Sequence, residues 1–123
     1  MICLDTNYLI QGVSKGSSEA TQMVAWHEGG EPMITPTVVW FEFLCGPVTR
    51  EQEATIRAFL TQIIPFDEKQ ATAAAGLFNK AGRKRRLRVD AMIAGTAIAA
   101  GAKLATNNRA DFAPFVPFGL KMT

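Results

Sequence analysis

Histidine is nearly absent: His27 is the only one in 123 residues. A zinc site built from paired histidines is thereby excluded, and Ser-His-Asp or Cys-His catalysis would have to run through that one residue. His27 falls in Ala25-Trp26-His27-Glu28-Gly29, the end of an expected helix, where a lone histidine is ordinarily a titrating surface group. Cysteine is scarce too. Cys3 and Cys45 both sit in apolar runs and read as buried free thiols of a cytosolic protein, with a disulfide between them as the alternative. The longest apolar run, Ala91–Ala100, is too short and too rich in Ala and Gly to span a bilayer. No basic segment followed by an apolar stretch opens the sequence, so the expectation is a cytoplasmic protein without a membrane partner. If the protein is an enzyme, its chemistry belongs to carboxylates.

What is present suits one folded unit. Apolar residues make up 48% and charged residues 20%, the profile of a globular chain with enough core for a single domain over 1–123. A net charge of +2 decides nothing, but its distribution is informative. Lys80, Arg83, Lys84, Arg85, Arg86 and Arg88 put six of the 13 basic residues into nine positions.

The punctuation of the chain predicts alternating strands and helices. Ile2–Leu4 reads as a strand ending at Asp5-Thr6-Asn7. A helix runs from Ser17 or Ser18 to His27 and stops at Gly29-Gly30. Met33-Ile34 is a second strand, after which Thr35-Pro36 supplies a cap and a first-turn proline for a helix over Val38–Cys45. Thr49 with Gln52 forms a capping-box pattern for a helix to about Gln62, and Ile63–Phe66 is a third strand. Asp67 with Gln70 repeats the pattern before a helix over Glu68–Ala81. Asp90 opens the helix Ala91–Ala100, Lys103–Ala105 is a fourth strand, and Leu120–Met122 is an edge strand. Short apolar strands alternating with helices indicate the α/β class: three layers, with a mostly parallel central sheet flanked by helices. Ligands of such sheets bind at the carboxyl ends of the strands, which is where Asp5 and Asn107 fall.

Four carboxylates are candidates for chemistry. Asp5 follows a buried-strand pattern, although aspartates there are also common turn and cap residues. Glu42 stands among Val38, Val39, Trp40, Phe41, Phe43, Leu44 and Cys45, so it faces either solvent or a site, because an unpaired buried carboxylate costs several kcal/mol. Asp90 heads the most apolar helix in the chain and reads equally as its cap. Asp111 lies past the fourth strand and also suits a cap. Taken together, converging carboxylates repel one another unless a cation lies between them. Without histidine or paired cysteine ligands that cation is hard, Mg²⁺ or Mn²⁺. Such a centre activates water for attack on a phosphoryl group, so phosphodiester hydrolysis is the expected reaction.

Leu4-Asp5-Thr6-Asn7, Glu42 with Gly46, Asp90-Ala91-Met92-Ile93-Ala94, and Ala105-Thr106-Asn107-Asn108-Arg109-Ala110-Asp111-Phe112 resemble the four motifs of PIN-domain ribonucleases. In size, the chain is similar to the VapC-type toxins of toxin–antitoxin pairs. The resemblance implies a PIN-like fold and an acidic quartet of Asp5, Glu42, Asp90 and Asp111 that binds one or two Mg²⁺ or Mn²⁺ and cleaves RNA. It also implies supporting polar positions at Thr6, Asn7, Thr106 and Asn107, and an antitoxin partner. In the fourth motif, Asn107 or Asn108 is an alternative to Asp111 as the oxygen donor. The stretch Arg83, Lys84, Arg85, Arg86 and Arg88, just before Asp90, is expected to hold RNA phosphates, with a solvated loop as the bland alternative. Trp40, Phe41 and Phe43 cannot all enter one small core, so one or more is expected at a homodimer or antitoxin interface, with core packing as the alternative. Two other classes compete. One is a phosphoacceptor receiver domain, which needs an acidic pair at strand one and an acceptor at strand three. The other is a degenerate PIN-like module that binds RNA or a partner without cleaving.

Overall fold

The structure, a computed structural model, describes residues 1–123. Strand β1 (Ile2–Leu4) leads into α1 (Thr6–Gly12) and α2 (Ser18–Glu28), and β2 (Met33–Pro36) into α3 (Thr37–Leu44) and α4 (Arg50–Phe59). β3 (Gln62–Ile64) is followed by α5 (Glu68–Lys80), a 3-10 turn (Arg85–Leu87) and α6 (Arg88–Ala99). β4 (Lys103–Ala105) precedes α7 (Arg109–Phe112) and a 3-10 segment (Ala113–Phe118).

The four strands form one sheet in the order β3-β2-β1-β4, with every pairing parallel. Parallel sheets are covered on both faces, which is why Ile2, Cys3, Leu4, Met33, Ile34 and Leu104 are all buried. The chain steps outward from β1 to β3, then crosses back to place β4 on the far side of β1. Right-handed crossovers therefore put the helices after β1 on one face and those between β3 and β4 on the other. The reversal between β1 and β4 is a topological switch point, the place where open α/β sheets bind ligands. The expected α/β architecture with a parallel central sheet is the observed one.

Several local expectations need correction. Residues Thr6–Gly12, for which no helix is expected from the sequence, form α1, capped by Asp5, whose Oδ1 accepts the Thr6 N–H at 2.7 Å. Polar Asp-Thr-Asn reads as a turn in isolation; burial of Leu9 against the core stabilises the helix. Thr35 is not a cap but a buried β2 residue, and its hydroxyl donates to the Leu4 carbonyl at 2.9 Å. Helix α6 begins at Arg88, and Leu87 occupies its cap position, so Asp90 lies inside the first turn and is not the cap. The 3-10 turn Arg85–Leu87 runs directly into it, so the helical path begins five residues before Asp90. α4 stops at Phe59 and β3 spans Gln62–Ile64, both earlier than expected. Cys45 is exposed and only Cys3 is buried, both as free thiols. The edge strand at Leu120–Met122 reduces to a single parallel bridge between Met122 and Leu104.

Other local signals are realised. The capping box of Thr49 and Gln52 is complete, with bonds of 3.0 and 3.1 Å. At Asp67, the Gln70 side chain accepts the backbone N–H at 3.1 Å.

Candidate active site

The carboxyl ends of β1 and β4 open into a cleft of about 350 Å³ lined by Asp5, Thr6, Asn7, Glu42, Val89, Asp90, Ile93 and Asn108. Each acidic wall comes from a different element. Asp5 stands between β1 and α1, Glu42 lies on α3, and Asp90 in the first turn of α6. A larger hollow of about 640 Å³ lies elsewhere, lined by residues of α1, α2, α4 and the loop between α1 and α2. It holds one carboxylate, Glu51, facing Lys15 and mostly uncharged residues, so the smaller cleft is the candidate for chemistry.

Asp5 is the anchor. Its side chain is buried, 4% exposed, and both oxygens are held. Oδ1 accepts the Thr6 N–H, and Oδ2 accepts the Thr106 hydroxyl at 2.7 Å. The Thr106 oxygen also accepts the Asn108 N–H at 3.0 Å. That second bond directs the hydroxyl proton toward Asp5, and the bond to Asp5 ties the end of β4 to the end of β1 across the switch point. Thr6 reaches the other way, its hydroxyl donating to Glu42 Oε2 at 3.4 Å. Replacing Thr106 with Val keeps the shape but removes the donor to Asp5 and the acceptor for Asn108. The expected cost is ~1–3 kcal/mol, the range for leaving buried polar groups unpaired. Urea melts give the answer, and an unchanged midpoint would remove Thr106 from the supporting network.

The electrostatics are those of crowded like charges. Burial pushes the Asp5 carboxyl up, opposed by the bonds from Thr106 and Thr6. Glu42 is raised by partial burial and by the charge of Asp5. Asp90 is raised furthest, to about 6, by burial and then by Asp111, Asp5 and Glu42, with Arg86 opposing. Three carboxylates on one cleft, each disfavouring its ionised form, make a place for positive charge. No three His, Cys, Asp or Glu side chains converge closely enough to cage an ion by themselves. A small hard cation such as Mg²⁺ does not need a cage: it keeps several waters and takes one or two carboxylates plus substrate oxygens. The all-oxygen donor set of Asp5, Glu42 and Asp90 fits such an ion.

Other expected site residues are placed differently. Asp111 does not line the cleft; its Oδ1 lies 3.5 Å from Arg86 Nη1, although its charge still acts on Asp90. Asn107 turns away, its amide donating to Glu19 at 2.9 Å, and Asn108 takes its place on the cleft wall. Asn7 does line the cleft. Glu19 was not legible as part of this region, because an acid in the first turn of α2 carries no signal beyond favouring the helix N-terminus. Arg83, Lys84, Arg85 and Arg88 are exposed near Asp90 in sequence, while Arg86 is drawn to Asp111. Trp40 and Phe43 enter the core, leaving Phe41 66% exposed. Asp67, the one acid at the end of the expected third strand, caps α5 and is not among the cleft residues.

Comparison with known proteins agrees with this arrangement. Residues 2–113 match the PIN-domain family. No curated protein matches the chain by sequence. Among solved structures, the chain is similar to a toxin–antitoxin complex from Klebsiella pneumoniae, at 28% identity and TM-score 0.72, over 92% of this chain and 91% of that one. VapBC2 from Rickettsia felis bound to a promoter DNA fragment is 22% identical, with TM-score 0.73 and coverage of 100% and 98%. DNA-bound VapBC from Salmonella typhimurium is 20% identical, with TM-score 0.75 and coverage of 99% and 96%. The last two likenesses show the fold.

Proposed function

The chain belongs to the PIN-domain family, and from that premise we propose that it is a Mg²⁺- or Mn²⁺-dependent endoribonuclease, the toxin of a type II toxin–antitoxin pair. The observation that carries the reading is the cleft in which Asp5, Glu42 and Asp90 meet at the switch point of the sheet. Asp5, Glu42 and Asp90 would hold the cation, with Asp111 beside them. When bound, the metal lowers the pKa of a water molecule and steadies charge on the phosphoryl oxygens.

The chain's own residues do the rest. Thr106 and the Thr6 N–H hold the Asp5 carboxylate in one orientation. Asn7 and Asn108 line the cleft with amide groups able to bond substrate oxygens. The exposed Arg83, Lys84, Arg85 and Arg88 hold the RNA backbone through its phosphates. Phe41 and Leu44, both exposed on α3, support a protein interface, with the cognate antitoxin or in a homodimer. The toxin role draws its support from the likeness to toxin–antitoxin complexes. No helix is long and apolar enough to cross a membrane, which accords with a cytoplasmic site of action on RNA. Residues 1–123 act as a single nuclease domain in this reading.

Purified protein is expected to cut RNA with Mg²⁺ or Mn²⁺ and to stop in excess EDTA. Expression alone is expected to arrest growth, with Asp5→Asn harmless. Cutting that persists undiminished in EDTA rules out the metal mechanism, and equal growth of both strains removes support for the toxin role.

A further inference from the structure

Of the three ion pairs in the protein, only Arg86 with Asp111 acts on a carboxylate of the cleft, both charges bearing on Asp90. Both partners sit beside residues locked into the core. Leu87, next to Arg86, is 2% exposed, and Phe112, next to Asp111, is fully buried. Arg86 is thus not the tip of a free loop: the turn Arg85–Leu87 is pinned where it enters α6. The remaining basic residues of this stretch make no ion pair; Arg83 bonds the neutral Asn79 at 3.2 Å. One cation in the run is therefore distinguished from the rest by what it faces.

We infer that Arg86 is an internal counter-cation, a positioning residue that holds Asp111 at the edge of the cleft and competes with a bound metal ion for it. This rests on the metal-dependent reading above and assigns within it a residue that charge and sequence position had grouped with the phosphate-binding run. The pair is exposed, so it adds little to stability. Its effect comes from place. A fixed positive charge beside the carboxylates opposes the arrival of a divalent cation, and an Asp111 oxygen engaged by guanidinium is withheld from that cation.

The two roles of Arg86 predict opposite results. As counter-cation, Arg86→Gln frees Asp111 and tightens Mn²⁺ binding by about three- to tenfold, the size expected for one partly screened charge. Arg86→Lys keeps the charge and stays close to wild type. As a phosphate contact, Arg86→Gln leaves Mn²⁺ affinity unchanged, weakens RNA binding and lowers its salt slope by about one.

Titration calorimetry with Mn²⁺ on wild type, Arg86→Gln and Arg86→Lys measures the first quantity. RNA binding in EDTA over a range of salt, where no metal is present, measures the second. The expected result is tighter Mn²⁺ binding by Arg86→Gln alone, with the RNA salt slope unmoved. Mn²⁺ binding no tighter in Arg86→Gln than in wild type overturns the assignment, as does a salt slope that falls by one. If wild type cleaves RNA with Mn²⁺ while either of these is seen, the Arg86 role fails alone. If wild type neither binds Mn²⁺ nor cleaves, the metal-dependent reading fails with it.

Discussion

Asp90→Asn is expected to lower metal-dependent RNA cleavage by about 10²- to 10⁴-fold, the rate equivalent of several kcal/mol of lost transition-state stabilisation, while making the metal-free protein no less stable. The side chain keeps its shape and loses its charge. Asp90 is held at about 6 by burial and by Asp111, Asp5 and Glu42. Between the ordinary aspartate range and pH 6 the folded protein therefore keeps a proton that the unfolded chain releases, so stability falls as pH rises through that window. Asparagine has no such window. The unfavourable charge amounts to at most ~3 kcal/mol, and screening of a half-open site reduces it to about 1 kcal/mol. Loss of a first-turn acid from α6 costs about 0.3–1 kcal/mol, which leaves the variant level with wild type or slightly above it at pH 7. The sharper signature is the comparison across pH. The variant's stability relative to wild type should rise from pH 4 to pH 7, whereas Mg²⁺ should stabilise it less than wild type. Thermal melts at both pH values, with EDTA and with Mg²⁺, measure this beside one cleavage assay. A fully active variant with a wild-type response to metal would remove Asp90 from the site.

Gly95→Ala should have the larger effect on stability. Helices α5 and α6 form the most extensive helix–helix contact in the protein, and Gly95 of α6 packs directly against the backbone of Ala74 in α5. A Cβ there would stand 2.7 Å from the Ala74 nitrogen and 2.8 Å from its Cα. Backbone cannot swing aside as a long side chain can, so the helices must part. Overpacking of this kind costs about 1–3 kcal/mol, against a gain of up to ~1 kcal/mol in helix propensity. A net loss of about 1–2 kcal/mol lowers the melting temperature by roughly 4–10 °C for a chain of this size. Gly76 supplies the control: it lies inside α5 with nothing within 4 Å of its Cβ position, so Gly76→Ala should stabilise by up to ~1 kcal/mol. Asp90 stands on the same helix as Gly95, so parting the helices also shifts it relative to Asp5 and slows cleavage below the melting range. Melting shifts of the same sign for the two alanine variants would sink this packing account.

The signals that could be read along the chain were local ones. Thr49 and Gln52 lie three residues apart, and their capping box needs nothing from the rest of the molecule. The apolar triplet Ile2-Cys3-Leu4 marks a doubly covered strand because both faces of a parallel sheet are buried. Local reading failed where tertiary burial overrode propensity. Asp5-Thr6-Asn7 has the composition of a turn, yet core contact through Leu9 makes it the start of α1. Thr35-Pro36 has the composition of a cap, yet Thr35 is buried and bonded to β1.

The candidate site divides in the same way. Glu42 in an apolar stretch was recognisable because its charge conflicts with its neighbours, whereas Asp5 at a strand end read equally as a turn or cap residue and gained weight only beside the other acids. The sequence by itself thus determined the α/β class, a short set of candidate acids, and the exclusion of a zinc site built from paired histidines. Only the tertiary structure decided which of those acids meet. Thr106 and Asp5 are 101 residues apart and bonded, Asn107 is taken by Glu19 across 88 residues so that Asn108 faces the cleft, and Asp111 is drawn to Arg86. The order of strands around β1 sets these pairings, and that order follows from where buried faces pack and crossovers turn. Residue spacing along the chain carries no measure of it.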